Sequence, residues 1–185
     1  MRMYNLCVLL FLIIGKLPAQ PSFLSDTWQS MDGKRITLNS SHAYTVWVFL
    51  APECPLCISY SKTLNALNDR YSNARIRFVG IFTGTLYTQQ EILDYIQKYN
   101  IAFPCIIDPT AKIAQKYQAG ITPEVCVVNQ RDITLYRGRI DNWAYSLGKK
   151  RSVITRHDLQ EVLEKCKLDV AFKPYITQAI GCIIE

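Results

Sequence analysis

Two cysteines separated by two residues, Cys54-Pro55-Leu56-Cys57, are the side chains of this sequence best spaced to do chemistry. A thiolate attacks a disulfide sulfur to form a mixed disulfide, and a second thiolate nearby resolves it. Cys54 follows an apolar run and precedes Pro55, a residue suited to the first position of a helix, where its missing N–H is not needed. A cysteine at such a junction meets unpaired backbone N–H groups and the positive end of a helix dipole. Both favour thiolate over thiol, and such sites lower a cysteine pKa from about 8.5 to roughly 3.5–7.5. The spacing therefore predicts an exposed nucleophile at Cys54 and a resolving thiol at Cys57, one helical turn later.

The same pair could be half of a zinc site or an inert bridge. Zinc needs two further ligands. The chain has no second C-x-x-C pair, and its two histidines, His42 and His157, are not ligand-spaced. No metal and no cofactor are expected. An inert disulfide stays open from the residues alone, although the strand-to-helix setting favours redox chemistry.

The elements that must hold this pair can be read from the apolar pattern. Thr45-Val46-Trp47-Val48-Phe49-Leu50 is β-branched and aromatic, the signature of a buried strand. After Pro55 the period changes: Leu56, Tyr60, Leu64 and Leu67 share a helical face, predicting a helix to about Tyr71. Ile76–Phe82 reads as a second buried strand, ended by Gly84. Thr88-Gln89-Gln90-Glu91 has capping-box form and predicts a helix that buries Ile92, Leu93 and Ile96 and stops at Asn100. Phe103–Asp108 is extended, and a short helix near Lys112–Tyr117 should end at Gly120. Val125–Val128 and Ile133–Tyr136 flank a polar turn and read as a hairpin, and Thr155 should cap a last helix burying Leu159, Val162, Leu163 and Cys166. Strands joined by helices imply parallel pairing with both sheet faces covered, and the hairpin adds antiparallel strands at one end. The expected fold is a mixed α/β sandwich.

The 185 residues, 49% hydrophobic and 19% charged, suit a single globular domain with its own core. Residues 1–20 stand apart. Arg2 precedes the apolar run Leu6–Ile14, and Pro18-Ala19-Gln20 offers a cleavage site, the organisation of a signal peptide. The run is short for a permanent anchor, which leaves an uncleaved membrane anchor as the secondary expectation. Loss of that segment, with Arg2 and Lys16, leaves 19 basic against 15 acidic side chains, a net +4 in place of +6. So mild a balance gives no case for nucleic acid, and Lys149-Lys150-Arg151 reads as solvated surface. Six of seven cysteines remain after cleavage, in a compartment that permits disulfides. The division is signal peptide 1–20, domain 21–167 and a C-terminal extension 168–185.

Asp32-Gly33-Lys34 with Ile36 and Leu38, the strand, Cys54-Pro55-Leu56-Cys57, Phe103-Pro104 with Asp108, and Thr122-Pro123 before a strand occur in this order. Over roughly Phe23 to Cys166 the chain resembles exported thioredoxin-like redoxins. These are thiol–disulfide oxidoreductases that border the alkyl hydroperoxide reductase and thiol-specific antioxidant (AhpC/TSA) group. The resemblance implies a three-layer thioredoxin-like sandwich, with a central mixed sheet and helices on both faces. It implies a cis peptide at Pro123, facing the cysteine pair, with the backbone of Thr122 docking an extended substrate. It also implies exported protein thiols or disulfides as clients, a membrane or soluble redox partner, and a periplasmic or extracellular location.

Two positions depart from the thioredoxin pattern. Glu53 replaces a tryptophan, and a carboxylate there should oppose thiolate formation at Cys54. Val48 replaces a buried acid, leaving Cys57 without an evident proton acceptor. With Pro55, Glu53 is thus a candidate tuning residue. Cys105, Cys126 and Cys166 read as small core hydrophobes, whereas Cys182 could be core, a bridge or an extra redox relay.

Two rival functions share parts of this pattern. Peroxiredoxins need proline, three residues, threonine or serine, two residues, then cysteine; counting back from Cys54 gives Trp47 and Ala51, and from Cys57 gives Leu50 and Cys54. The peroxidase reading therefore ranks below exchange. A Cu(I)-binding metallochaperone suits paired thiolates, but such proteins space the cysteines by three residues and add a loop histidine. It ranks lower still.

Overall fold

The computed structural model describes residues 27–37, 41–73 and 75–184. The segment read as a signal peptide, 1–20, lies outside the described residues. Among the described residues no helix is long and apolar enough to cross a membrane.

A small antiparallel hairpin comes first: β1 (Thr27–Gln29) and β2 (Arg35–Thr37), joined by a turn in which Gly33 takes a φ of 80°. Glycine reaches that region without a Cβ penalty. The Met31 N–H donates to the Cys105 carbonyl at 2.7 Å and ties this hairpin to the main sheet. β3 (Tyr44–Leu50) is buried along all but its first residue, which is why its apolar run does not alternate with polar positions. α1 (Pro55–Tyr71) follows, then β4 (Ile76–Thr83), parallel to β3.

α2 (Gln89–Lys98) begins at a complete capping box: Thr88 Oγ1 accepts from the Glu91 N–H at 3.3 Å, and Glu91 Oε2 accepts from the Thr88 N–H at 2.7 Å. Two N–H groups that the helix cannot satisfy internally are thereby paired. The helix buries Ile92 and Tyr95, while Leu93 and Ile96 are only half-buried. Tyr95 takes the expected place because its ring meets Phe82 edge-on, with centroids 5.8 Å apart.

β5 (Cys105–Asp108) lies parallel to β4. Buried Asp108 then organises α3 (Lys112–Tyr117): its Oδ2 accepts from the N–H groups of Ile113 and Ala114 at 2.8 and 3.1 Å. α3 stops at Gln118, left-handed with φ 54°, rather than at Gly120. After β6 (Ile121–Thr122), β7 (Glu124–Asn129) and β8 (Thr134–Gly138) form the antiparallel hairpin that the sequence implied. β9 (Ala144–Ser146) and β10 (Lys149–Lys150) make a small surface ribbon.

α4 (Asp158–Lys167) starts behind His157, not Thr155. Thr155 is engaged by Asn142, which donates to its Oγ1 at 2.8 Å and accepts from its N–H at 3.0 Å. The stretch set apart in the sequence as an extension folds back onto the sheet. β11 (Tyr175–Ile176) pairs parallel with β8, and β12 (Cys182–Ile183) pairs antiparallel with β6.

The main sheet has the order β11-β8-β7-β3-β4-β5. On one face Val46, Val48 and Leu50 pack with residues of α1, α2 and α4. On the other, Trp47 and Phe49 pack with Ile113, Ala114 and Tyr117 of α3 and with Ile36 of the hairpin. Helices on both faces of a mixed sheet make the three-layer α/β sandwich that was expected.

Candidate active site

The site begins where β3 gives way to α1. Cys54 is the N-cap, at φ −72° and ψ 116°, and no side-chain cap competes for the first turn. Pro55 follows inside that turn, and the Ile58 N–H closes on the Cys54 carbonyl at 3.1 Å. The first turn carries no acidic side chain to compete with the Cys54 sulfur for its positive end.

Cys57 is fully buried beneath Cys54. The Ala51 N–H donates to its Sγ at 3.4 Å, while the Ser61 and Tyr95 hydroxyls donate to its carbonyl at 2.9 and 3.2 Å. Burial pushes the Cys57 thiol well above its ordinary value, and hydrogen bonding to Cys54 adds to this. Cys54 moves the other way, down to about 4. Donation from the Cys57 thiol is the largest cause and donation from Cys182 another, both opposed by burial. At neutral pH the pair is one thiolate and one thiol.

The Thr122–Pro123 peptide is cis, and both residues are buried. The Cys54 thiol, when protonated, donates to the Thr122 carbonyl at 3.1 Å. Cys182 completes the cluster from β12. Its Sγ donates to Cys54 Sγ at 2.7 Å, and burial followed by that hydrogen bond pushes its own thiol up to about 12. Cys54 is consequently only 2% exposed. The expected exposed nucleophile is in fact covered, because the tail lies over it.

A family model for the AhpC/TSA family matches residues 20–137. The chain belongs to the AhpC/TSA family. No curated protein matches this AhpC/TSA chain. Solved structures show its fold. A hypothetical protein of Sinorhizobium meliloti 1021 is 20% identical with a TM-score of 0.70, over 86% of this chain and 89% of that one. StoA from Bacillus subtilis is 16% identical with a TM-score of 0.59, over 80% and 98%. A secreted Mycobacterium tuberculosis disulfide oxidoreductase homologous to Escherichia coli DsbE is 18% identical with a TM-score of 0.53, over 79% and 96%. The fold of this AhpC/TSA chain is thioredoxin-like.

The departures noted in the sequence take on a physical form in this family member. Glu53 is exposed, where solvent and salt screen its charge. The two thiol donors outweigh it, and Cys54 is drawn down despite that carboxylate. Val48 is fully buried in the apolar layer under α1. A buried carboxylate passed over in the sequence, Glu124, directly follows Pro123. It accepts from the Gly120 N–H at 3.0 Å and lies 3.6 Å from Arg137 Nε; burial raises its pKa. Glu124 stands opposite Phe49 in the β3–β7 register, on the sheet face away from Cys57. It is therefore not placed to take the Cys57 proton.

Beside the sulfurs runs a cleft of about 360 Å³, lined among others by Leu50, Tyr87, Leu147 and Ile183. Leu86, Leu147 and Ile183 are exposed on its rim. Cys105, Cys126 and Cys166 are buried elsewhere as free thiols, each pushed up to about 12, chiefly by burial.

Proposed function

We propose that this AhpC/TSA-family chain is a thiol–disulfide oxidoreductase that exchanges disulfides with exported proteins through Cys54 and Cys57. The observation that carries the reading is the Cys54 sulfur itself: drawn down to about 4 at a helix N-cap and held 3.1 Å from the carbonyl that precedes a cis-proline. The β6 edge beside the reactive sulfur pairs with an extended segment, β12, and so suits an extended polypeptide. The apolar rim of the cleft suits its side chains. The apolar segment 6–14 supports export.

In the reducing direction, Cys54 thiolate attacks one sulfur of a client disulfide, and the other client sulfur leaves and takes a proton. Cys57 then gives up its proton and attacks Cys54 Sγ, releasing the second client sulfur. The client gains two electrons and two protons, and the chain keeps the Cys54–Cys57 disulfide until a redox partner reduces it. The oxidising direction is the reverse. A thiolate stabilised in the reduced pair makes its disulfide a ready acceptor of electrons. The lowered Cys54 thiol supports transfer from client thiols to this chain as the direction to test.

The test is oxidation of a reduced peptide dithiol by the chain in a glutathione buffer. Cys54→Ser should reduce the rate to background, and Cys57→Ser combined with Cys182→Ser, which leaves no thiol in contact with Cys54, should accumulate mixed disulfides that identify clients. Full activity in Cys54→Ser would remove the assignment. Faster turnover of hydrogen peroxide than of disulfide would make the chain a peroxidase instead.

A further inference from the structure

β12 lies along the edge that a client would need. It runs antiparallel to β6, with Cys182 opposite Thr122 and Ile183 opposite Ile121. The Ile184 N–H donates to the Gly120 carbonyl at 3.0 Å, and Thr122 Oγ1 donates to the Cys182 carbonyl at 3.4 Å. Gly181 permits the approach, since a Cβ there would come within 1.9 Å of the Thr122 carbonyl oxygen. Peptides add to an exposed strand edge in this manner, with main-chain pairing and side chains in adjoining pockets. The pairing sets Cys182 Sγ 2.7 Å from Cys54 Sγ, where the sulfur of a client must sit.

The preceding part of the tail is anchored separately. β11 joins β8, the Thr177 N–H donates to the Arg137 carbonyl at 3.0 Å, and the Thr177 and Tyr136 hydroxyls lie 2.6 Å apart. β12 itself is two residues long, and Ile183 is 78% exposed. A contact this small can open locally while the sheet stays folded.

We propose that β12 is an internal client: in the oxidised protein Cys182 exchanges with Cys57 for Cys54, and the resulting Cys54–Cys182 disulfide closes the docking edge until a client thiolate attacks Cys54 Sγ and Cys182 leaves as thiolate and takes the client's proton. The inference rests on the reading of Cys54 as the exchange nucleophile. The step is an isomerisation. Cys182 loses its proton and its thiolate attacks Cys54 Sγ, the Cys54–Cys57 bond breaks, and Cys57 leaves as thiolate and takes the proton. One disulfide is exchanged for another, with no net oxidation. Contact between the sulfurs gives Cys182 the advantage of an intramolecular reactant over any free thiol. The segment Ile180-Gly181-Cys182-Ile183-Ile184 then describes the client class: an extended polypeptide with a small residue before its cysteine and aliphatic residues after it.

The test oxidises the full chain with oxidised glutathione, blocks remaining thiols and maps disulfides by mass spectrometry. A Cys54–Cys182 cross-link is expected in the wild type, and as the only intramolecular link of Cys54 in Cys57→Ser. Its absence from both proteins overturns the proposal. Gly181→Val, which pushes β12 off Thr122, should lose the cross-link and oxidise an external peptide dithiol severalfold faster. A retained cross-link with an unchanged client rate also overturns it. If exchange requires Cys54 yet no link to Cys182 forms, the internal client alone falls. If Cys54→Ser still exchanges disulfides, the earlier reading falls instead.

Discussion

Cys54 and Cys126 are the same side chain in one domain, yet their sulfurs stand at opposite ends of the thiol range. Cys54 lies just beyond the end of β3, and Cys126 faces Trp47 of that strand across the β3–β7 pairing. Their exposures are 2% and 0%, so burial does not separate them. Burial pushes Cys126 up to about 12, whereas Cys54 falls to about 4 despite its burial. What differs is the supply of donors. Cys126 meets one threonine hydroxyl, Thr134 Oγ1, at 3.8 Å. Cys54 caps a helix and receives two thiol hydrogen bonds. Reactivity here comes from what a sulfur can accept, not from how much water reaches it.

The largest expected effect follows from that contrast. At pH 7 Cys54 is ionised, while a thiol at about 12 is thiolate in roughly one molecule in 10⁵. An ultraviolet thiolate titration of the reduced protein should therefore show one cysteine ionising near pH 4 that disappears in Cys54→Ser. A first ionisation above pH 8 would erase the distinction. The two kinds of cysteine also act on stability with opposite signs. Cys54 is depressed below the unfolded value of about 8.5, so its contribution is full above that pH and is lost as pH falls towards 4. Cys105, Cys126 and Cys166 are raised, so theirs is full below about 8.5 and is lost as pH rises towards 12. Cys126→Ala should unfold at a lower urea midpoint than wild type by a constant margin, set by the lost packing, up to about pH 8.5, and the margin should narrow as pH rises further.

A smaller effect isolates one donor. Cys182→Ala removes a hydrogen bond to the Cys54 sulfur but leaves that from Cys57, so the low ionisation should move upward while staying below the ordinary cysteine value. Cys182→Ser restores a hydroxyl donor and should recover much of the shift. The same titration reads both variants. An unchanged curve for Cys182→Ala would mean that the helix start and Cys57 account for Cys54 unaided.

The sequence carried the local half of this comparison. The change from a strand-like to a helix-like pattern at Cys54-Pro55-Leu56-Cys57 is a nearest-neighbour signal, and α1 opens there. The capping box at Thr88 and Glu91 is equally local, and α2 starts with it. The position of Cys182 depends on a tail that pairs with β8 before reaching β6, and no short-range pattern encodes such a path. Glu53 misled for a related reason. Its neighbourhood in sequence suggested repulsion, but its exposure weakens the field while the Cys57 thiol one turn on, and the Cys182 thiol far along the chain, act at contact. Thr155 looked like a cap because its type favours caps, and Asn142 engages it from another loop.

The smallest effect tests the inert side of the comparison. If Cys105 serves packing alone, it should respond to volume and not to charge. Gly80 on β4 stands opposite Cys105 on β5, and a Cβ added there would lie 2.6 Å from Cys105 Sγ and 3.2 Å from the Phe103 ring. Gly80→Ala should thus overpack the layer and cost about 1–3 kcal/mol. Cys105→Ala leaves space where that methyl needs it, so the double variant should be more stable than the sum of the single losses by about 0.5 kcal/mol or more. Urea denaturation of the four proteins measures the coupling. Strict additivity would show that the sulfur yields freely and that the ring of Phe103 sets the limit. In every variant Cys54 should keep its low ionisation, because the volume at Cys105 alters none of the donors that hold that thiolate.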